Sequence, residues 1–414
     1  MYILFLTLSI ITSVVTNLPL QQVFGTLGSS VVFIISSAVF VILFGLKRDV
    51  VFESKLVRYT WYYYLFSFFT SLMILSYQGL VHGNIYSPYG GVLLTKHFAA
   101  STYNLVYCFY ITSMCCLISF VSQKKQYYIY AFVYFFLVIV GILQYIKLYD
   151  FNVFHNNIVE YSRIRLLSPE PSMASLTFNV LGLVVLSLSK SRITILLVII
   201  SLLFINIIIA SKVALLLLFV SFSLVAVFST ENFRVKAFAF SFIIVLSPFI
   251  FIFLSDVALP SLTRDIESFT SFATRGVTTI WAFLSLFYYP FGEGYGTFQI
   301  FAPEMVELSS SVFKFISPYY LNYNELNNMI SNGENLSVKS GILNQIVYSG
   351  LSAAIFYFII FKLSFSSIEV MDERYNKYVF KSLMIYVLIS ILFFVNTEVM
   401  YISMLPLIIA CNKR

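Results

Sequence analysis

Residues 163–175 read Arg-Ile-Arg-Leu-Leu-Ser-Pro-Glu-Pro-Ser-Met-Ala-Ser and lead into an apolar run, Met173–Leu188. Pro171 suits the first turn of a helix, where its missing N–H is not needed and its fixed φ already fits. Ser168 and Glu170 stand where side chains usually cap a helix start, and the helix dipole favours an anion there. The stretch therefore predicts that charged side chains lie together at the start of a membrane-spanning helix.

The composition of the whole chain favours a membrane protein. Of its 414 residues, 60% are hydrophobic and 10% are charged, whereas a soluble domain is about half apolar and about a quarter charged. Apolar runs of roughly twenty residues recur, and each is long enough to cross a bilayer as a helix. We therefore predict an all-α polytopic membrane protein, to which the length-based domain count of soluble proteins does not apply.

The apolar runs predict about 12 spans, or about 11 if the last two form one long tilted helix. The bundle at residues 1–255 contains an outer loop at 149–172, a large loop follows at 256–340, and the last spans lie at 341–414. Within the large loop, Val277–Tyr289 is apolar but too short to span, so we expect it to lie in the interface or to re-enter. The predicted spans are Tyr2–Leu18, Val23–Leu46, Tyr59–Leu80, Ser101–Ser122, Tyr127–Leu148, Met173–Leu188, Ile193–Ala210, Val213–Phe228, Ala237–Leu254, Gly341–Leu363, Ser382–Val395 and Val399–Cys411.

The basic residues predict the orientation of these spans. Cytoplasmic loops carry an excess of Lys and Arg, so we expect the more basic side to be cytoplasmic and both termini to lie there. The N-terminal run lacks a basic n-region and a small-residue cleavage site, so we expect a retained span. The loop at 149–172, Lys212 and the large loop then face outward. Of the 25 Lys and Arg residues, 16 fall on the basic side, within 47–58, 124–125, 190–192, 234–236, 362–381 and 413–414.

The cysteines and histidines do not predict a metal site. All four cysteines fall inside predicted spans, at a spacing that suits neither zinc nor a disulfide framework. The three histidines are scattered over two loops, which is unlike a metal cluster. We expect neither a metal nor another cofactor.

Several basic residues on the outward side are candidates for binding an anionic ligand. Lys212 lies between two apolar spans, where a cation marks a functional site or is a snorkelling side chain that fixes the span length. Arg163 and Arg165 could instead pair with Glu160 or Glu170 and hold the loop shut, although surface pairs of this kind add little stability. The candidates are Arg163, Arg165, Lys212, Arg264 and Arg275.

Residues 291–296 read Phe-Gly-Glu-Gly-Tyr-Gly and place three glycines at alternate positions. Alternating glycines let a backbone approach a ligand or another helix closely. The segment lacks the strand-turn-helix context of a nucleotide fingerprint. Gly292 and Gly294 are therefore candidate contacts to a ligand that is not a dinucleotide.

Three of these features together resemble the O-antigen polymerase (Wzy-type) branch of the O-antigen ligase and polymerase superfamily. The first is an arginine followed by Glu170-Pro171-Ser172 at the outer start of a span. The second is the Ser211-Lys212 turn, where the family usually has Ser followed by a basic residue. The third runs from Arg275 through Trp281 to Pro-Phe-Gly-Glu-Gly-Tyr-Gly-Thr-Phe at 290–298, like the family's Arg…Trp…Pro-x-Gly-x-Gly-x-x-x-Phe pattern. The three matches lie within residues 160–340 and share one predicted side of the membrane.

The resemblance implies a membrane-embedded glycosyltransferase of the GT-C type. It would move a growing glycan from undecaprenyl diphosphate onto the sugar end of another lipid-linked repeat unit. The leaving group is a diphosphate, so the five basic candidates are expected to bind it and the glycan, with Gly292 and Gly294 beside them, and arginine offers bidentate contacts to phosphate. Glu170 is the expected general base for the acceptor hydroxyl.

The resemblance also implies a setting and leaves alternatives. We expect the bacterial cytoplasmic (inner) membrane, with membrane lipid, the lipid-linked glycan and a chain-length regulator as partners, and no nucleic acid. The ligases of the superfamily usually carry a catalytic histidine in the large outer loop, and residues 256–340 contain none, which favours the polymerase. A lipid-linked oligosaccharide flippase would show paired halves, short even loops and charges inside the spans. A non-catalytic partner in an assembly complex is a third reading.

Overall fold

The computed structural model describes most of the chain as helices and contains no named strand in the described ranges. The all-α prediction is therefore confirmed for this part of the chain, while the predicted span Ala237–Leu254 lies outside the described residues. For residues 24, 47–50, 212, 270–272 and 316 the backbone alone is described. The described residues are 1–24, 28–151, 154–155, 164–209, 211–228, 270–316, 322–333, 336–371, 376–395 and 400–412.

The helices follow one another through mostly short connections. They are α1 (Tyr2–Val14), α2 (Gln21–Phe24), α3 (Val32–Val51), α4 (Lys55–Val81), α5 (Leu93–Phe120), α6 (Gln123–Tyr145), α7 (Pro171–Leu188), α8 (Arg192–Ile209), α9 (Lys212–Phe228), α10 (Thr270–Tyr288), α11 (Phe298–Ile316), α12 (Asn324–Asn332), α13 (Gly341–Ser349), α14 (Leu351–Glu369), α15 (Lys377–Phe393), a 3₁₀ turn at Tyr401–Met404, and α16 (Leu405–Cys411).

Six of these helices are long and apolar enough to cross a membrane, by length and composition. They are α4, α5, α6, α7, α8 and α14. Shorter apolar helical segments occur at Tyr2–Val14, Val32–Leu46, Val213–Phe228 and Tyr401–Cys411. The chain is thus an all-α membrane protein with six candidate spans among the described residues, and the larger number of about twelve stays a prediction.

The helices from α3 to α9 alternate in direction, as do α14 and α15, so their connections gather at two opposite ends of the bundle. The Glu170 end holds the α4–α5 connection, the start of α7 and the α8–α9 turn. The Lys124 end holds the α3–α4, α5–α6, α7–α8 and α14–α15 connections. Tyr2 stacks on Phe120 at 4.7 Å between ring centroids, and Asn412 donates a hydrogen bond to the carbonyl of Cys115. Both extremes of the described chain therefore approach the Lys124 end.

Helix α7 lies inside the bundle, packed against α6, α8 and α15. In this helix 83% of the span is buried by protein. Its apolar side chains therefore pack against other helices on all sides and do not face lipid. Pro171 occupies its first turn as predicted. Midway along it, Asn179 donates to Tyr386 of α15 at 2.8 Å and accepts from Asn206 of α8 at 2.6 Å. Hydrogen bonds of this kind hold helices together where no water competes.

The predicted span Gly341–Leu363 is not one continuous helix, because a break at Gly350 divides it into α13 and α14. Gly350 has φ +59°, and the N–H of Leu351 bonds to the carbonyl of Pro290 at 2.9 Å. The helix opens here because a loop from another part of the chain takes up its backbone groups. The last two predicted spans are separate elements, not one tilted helix, since α15 ends at Phe393.

The described part of the predicted large loop forms a helical cap, α10–α12, at the Glu170 end. Its predicted short apolar piece belongs to a longer helix, α10, of 19 residues. Helices α10 and α11 run antiparallel, because Gly276 faces Phe313 near one end of the pair and the Tyr289 and Phe301 rings lie 4.7 Å apart near the other. Their connection, residues 289–297, is the loop that meets Gly350.

Candidate functional site

A cluster of charged side chains lies where the helical cap meets the bundle at the Glu170 end. Arg275 of α10 donates from Nη1 to the carbonyl oxygens of Phe394 at 3.0 Å and Lys339 at 3.4 Å. Beside it, Lys339 Nζ lies 3.4 Å from Glu325 Oε1, and Thr274 donates to Glu325 Oε2 at 3.3 Å. The cluster therefore joins four separate parts of the chain.

Glu170 belongs to the same electrostatic neighbourhood. Burial lowers the pKa of the Arg275 guanidinium, while the carboxylates of Glu170 and Glu325 act in the opposite direction. Glu170 is the N-cap residue of α7, yet its side chain makes no capping bond; it accepts instead from Ser172 Oγ at 3.3 Å. An exposed carboxylate at the start of a helix thus lies near a half-buried arginine from elsewhere in the chain.

Arg165 is buried, with 8% of its surface exposed to solvent. Its charge lies near His155, whose pKa is lowered to about 4, first by burial and then by the arginine. The neighbouring Leu166 exchanges backbone hydrogen bonds with the side-chain amide of Gln144 in α6, each of 3.0 Å. The segment before α7 is therefore fixed to the bundle, and Arg165 has a packing role whether or not it contacts a ligand.

The remaining basic candidates are described incompletely. Helix α9 begins at Lys212, as the Ser211-Lys212 turn predicts. The side chain of Lys212 lies outside the described part of the structure. Arg163 and Arg264 lie outside the described residues. Their expected contacts to a ligand stay predictions.

The glycines of 291–296 approach protein backbone. Gly292, Gly294 and Gly296 have φ of +89°, +83° and +77°, a region that other residues rarely adopt. A Cβ on Gly292 would collide with the carbonyl of Tyr348, and one on Gly296 would meet the backbone at His97. The loop therefore needs glycines because its backbone lies close to other helices. A contact of Gly292 or Gly294 with a ligand stays a prediction.

Glu293, between these glycines, is fully buried. Its Oε1 accepts from Trp281 Nε1 at 2.8 Å and from Ser285 Oγ at 2.6 Å, while Oε2 has no hydrogen-bond partner among the described residues. Burial raises the pKa of this carboxyl from 4.5 to about 8, and the two hydrogen bonds limit the rise. The Glu293 carboxyl is therefore neutral over most of the pH range below 8 and links α10 to the loop.

A second polar network joins the loop to the spans. The Tyr295 hydroxyl lies 3.0 Å from Ser67 Oγ of α4 and accepts from Asn104 of α5. Asn104 also donates to Gln345 Oε1 of α13 at 3.2 Å, and Tyr63 of α4 donates to the same oxygen at 2.9 Å. Side chains of α4 and α5 thus hold the 289–297 loop, and Gln345 of α13 belongs to the same network.

The sequence patterns pointed to Arg275 and Glu170 but missed Thr274, Glu325 and Lys339. Lys339 stands one residue before the serine that precedes α13, and Glu325 lies in the first turn of the polar helix α12. Neither position carries a motif, so only their shared neighbourhood with Arg275 identifies them.

No group of three His, Cys, Asp or Glu side chains that could hold a metal ion occurs in the part of the chain that the structure describes. No protein-family model matches the sequence, and no curated protein matches it. The function of the cluster must therefore be inferred from its own chemistry.

Proposed function

We propose that the protein polymerises undecaprenyl-diphosphate-linked oligosaccharide repeat units into O-antigen or a similar surface polysaccharide. The reaction is a metal-independent glycosyl transfer at the outer face of the bacterial cytoplasmic membrane, on a fold of the GT-C type. The observation that carries the proposal is the electrostatic interaction of Glu170 with Arg275. These residues belong to two separate motifs, and they lie in one electrostatic neighbourhood at one end of a membrane helix bundle.

The charges of the cluster match those that the reaction needs. The acceptor hydroxyl attacks the anomeric carbon of the donor glycan, the bond from that carbon to the diphosphate oxygen breaks, and the lipid diphosphate leaves with the electron pair. Glu170 takes the hydroxyl proton as general base. Arg275 and Lys339 offset the negative charge that grows on the diphosphate.

Arg275 is well placed for this role because its hydrogen bonds in the described part of the chain both use Nη1. The other guanidinium nitrogens are then available to phosphate oxygens. A fixed cation of this kind stabilises developing charge without reorganising during the reaction. Arg163, Lys212 and Arg264 complete the proposed diphosphate and glycan site.

The experiment is a deletion of the gene in its host, complemented with variants, with surface polysaccharide read as a ladder on a gel. Wild type restores a multi-band ladder, whereas Glu170→Gln and Arg275→Ala leave lipid that carries a single repeat. Glu307→Gln serves as control, because this carboxylate is exposed on α11 of the same cap. Membrane levels of each variant, measured by immunoblot, separate loss of activity from loss of protein.

The same experiment discriminates the competing classes. A single-repeat band in the deletion strain means that export and ligation still operate and that polymerisation alone is lost. No repeat on the lipid core would overturn the polymerase proposal. The ligase and the flippase then differ in which face of the inner membrane holds the stalled lipid-linked intermediate.

A further inference from the structure

A cavity of about 890 Å³ lies at the Lys124 end of the bundle, opposite the charged cluster. It is bounded by the α3–α4 turn, the last turns of α5, the second half of α14 and the end of α16. This volume is in the range of small-molecule sites. None of the residues proposed for glycosyl transfer lines the cavity, so the proposed reaction does not account for it.

Two lysines give the cavity its positive charge. Lys55 begins α4, and Lys362 lies inside α14, roughly 10 Å along the axis from the helix end. Neither has a carboxylate within ion-pair distance in the part of the chain that the structure describes, whereas nearby Lys381 pairs with Glu369 at 2.8 Å. The cavity also has Glu53 in its wall, which offsets part of this charge. A cation inside a spanning helix is costly unless a counter-charge reaches it.

The wall that α14 contributes changes character along the helix. Ile359 and Leu363 are apolar and lie one turn apart, and Ser366 and Ser367 follow about one turn nearer the helix end. One helix face thus passes from hydrocarbon to hydroxyl groups towards the Lys124 end, before Val370 in the turn that follows. A phospholipid changes in the same order, from its acyl chains to its headgroup.

We propose that this cavity binds the headgroup phosphate of an anionic phospholipid. Lys55 and Lys362 contact the phosphate from α4 and α14, the Ser366 and Ser367 hydroxyls donate to its oxygens, and an acyl chain packs on Leu363. Basic pockets between membrane helices recognise phosphate headgroups in this way. Lys362 belongs to a candidate span, and a soluble anion would have to leave water to reach it, which favours a lipid as the source of the phosphate.

The first test compares lipid retention by native mass spectrometry. The purified full chain in detergent is supplied with equal amounts of phosphatidylglycerol and phosphatidylcholine. We expect preferential retention of phosphatidylglycerol, reduced about fivefold by Lys55→Gln and by Lys362→Gln, the effect of one lysine near a membrane surface. Lys125→Gln is the matched control, because this exposed cation lies at the same end outside the cavity. Equal retention of both lipids, or an equal loss in the control, would overturn the proposal.

The second test uses one native thiol and one introduced thiol. Cys411 is half-buried and lines the cavity, and the thiol introduced by Lys125→Cys, exposed at the same end outside the cavity, serves as the reference. In nanodiscs, phosphatidylglycerol should slow maleimide labelling of Cys411 relative to the introduced thiol when compared with pure phosphatidylcholine, and Lys362→Gln should abolish this protection. Unchanged labelling contradicts lipid binding. Protection by soluble glycerol phosphate in pure phosphatidylcholine would show that the site takes a soluble anion and would overturn the assignment to a lipid.

Discussion

The guanidinium of Arg275 donates a hydrogen bond of 3.0 Å to the backbone carbonyl of Phe394, just past the end of α15. Carbonyl groups at a helix C-terminus lack partners inside the helix and carry partial negative charge, so a cation there is stabilising. This bond joins the helical cap to the bundle. Arg275 therefore has a structural role beside the proposed one in binding diphosphate.

Two substitutions separate these roles of Arg275. Arg275→Ala removes the bond and the charge, so we expect a loss of about 1–3 kcal/mol in the free energy of unfolding and loss of the ladder. Arg275→Lys keeps a charge but loses the planar fork, so we expect a smaller loss of stability and still a strong loss of polymer. Thermal unfolding in detergent measures the first effect and the polysaccharide ladder the second.

Arg192→Ala is the control for this prediction, because Arg192 is exposed at the Lys124 end. Its effect on stability should stay within about 0.5 kcal/mol. A midpoint of Arg275→Ala equal to that of Arg192→Ala would contradict the structural role. An unchanged ladder in Arg275→Lys would contradict the need for the arginine fork.

The contact between the 289–297 loop and the Gly350 break predicts which glycines tolerate a side chain. Gly292→Ala and Gly350→Ala each place a Cβ against a backbone carbonyl, of Tyr348 and Pro290 respectively, at a positive φ. We expect each to destabilise the protein by more than about 2 kcal/mol, through steric overlap and backbone strain. The measurement is the yield of monodisperse protein and its thermal midpoint.

Gly79→Ala is the matched control in α4, where an added Cβ meets nothing within 4 Å. Alanine is the better helix former by up to about 1 kcal/mol, so this variant should keep or raise the midpoint. A yield and a thermal midpoint equal to those of wild type for Gly350→Ala would show that the backbone at the break can rearrange with little loss of stability.

The apolar helices could be predicted from the sequence because the bilayer imposes a length on each apolar run. The start of α7 was also predictable, since proline is favoured in the first turn of a helix, where Pro171 lies. The break at Gly350 was not, because it depends on a hydrogen bond to Pro290, far away in the sequence. A glycine inside an apolar run carries no local sign that another segment will dock there.

The candidate site was predictable only in part, because some of its residues carry a local sequence signal and others are recognised only by their tertiary contacts. Glu170 and Arg275 stand in recognisable motifs, whereas Glu325 and Lys339 become relevant only through tertiary contact with each other and with Arg275. The glycines of 291–296 were open to two explanations, approach to a ligand or to a helix. The second is visible in the structure, because a Cβ on Gly292 would collide with the backbone carbonyl of Tyr348 in α13.

The network of Asn179, Asn206 and Tyr386 predicts a coupling inside the bundle. Asn179→Leu removes the hydrogen bonds that this side chain makes with Asn206 and Tyr386, so we expect a loss of about 1–2 kcal/mol in stability. Asn206→Leu should cost a similar amount, and the double variant should lose less than the sum, because both substitutions remove the same two bonds between the asparagines. Thermal unfolding of the four proteins measures the coupling, and strictly additive losses would contradict it.

Glu293 predicts a pH dependence of stability. The folded protein holds the proton of this carboxyl up to a pKa of about 8, against an ordinary value of 4.5. Between pH 4.5 and pH 8 the folded state holds a proton on Glu293 that the unfolded state has lost. The contribution of Glu293 to the free energy of unfolding therefore falls as the pH rises from about 4.5 to 8, and it is constant above pH 8. Glu293→Gln stays neutral and keeps a carbonyl oxygen for Trp281 Nε1 and Ser285 Oγ. We therefore expect the midpoint of Glu293→Gln, relative to wild type, to rise between pH 5 and pH 8.

Two further variants make this measurement specific to the buried carboxyl. Glu293→Ala removes the acceptor and leaves the Trp281 indole N–H buried without a partner, so we expect it to be less stable than wild type at every pH by about 1–3 kcal/mol. Glu307→Gln removes an exposed carboxylate from the same cap and reports the effect of a lost charge alone. A constant difference in midpoint between Glu293→Gln and wild type from pH 5 to pH 8 would mean that the proton of Glu293 is not retained on folding.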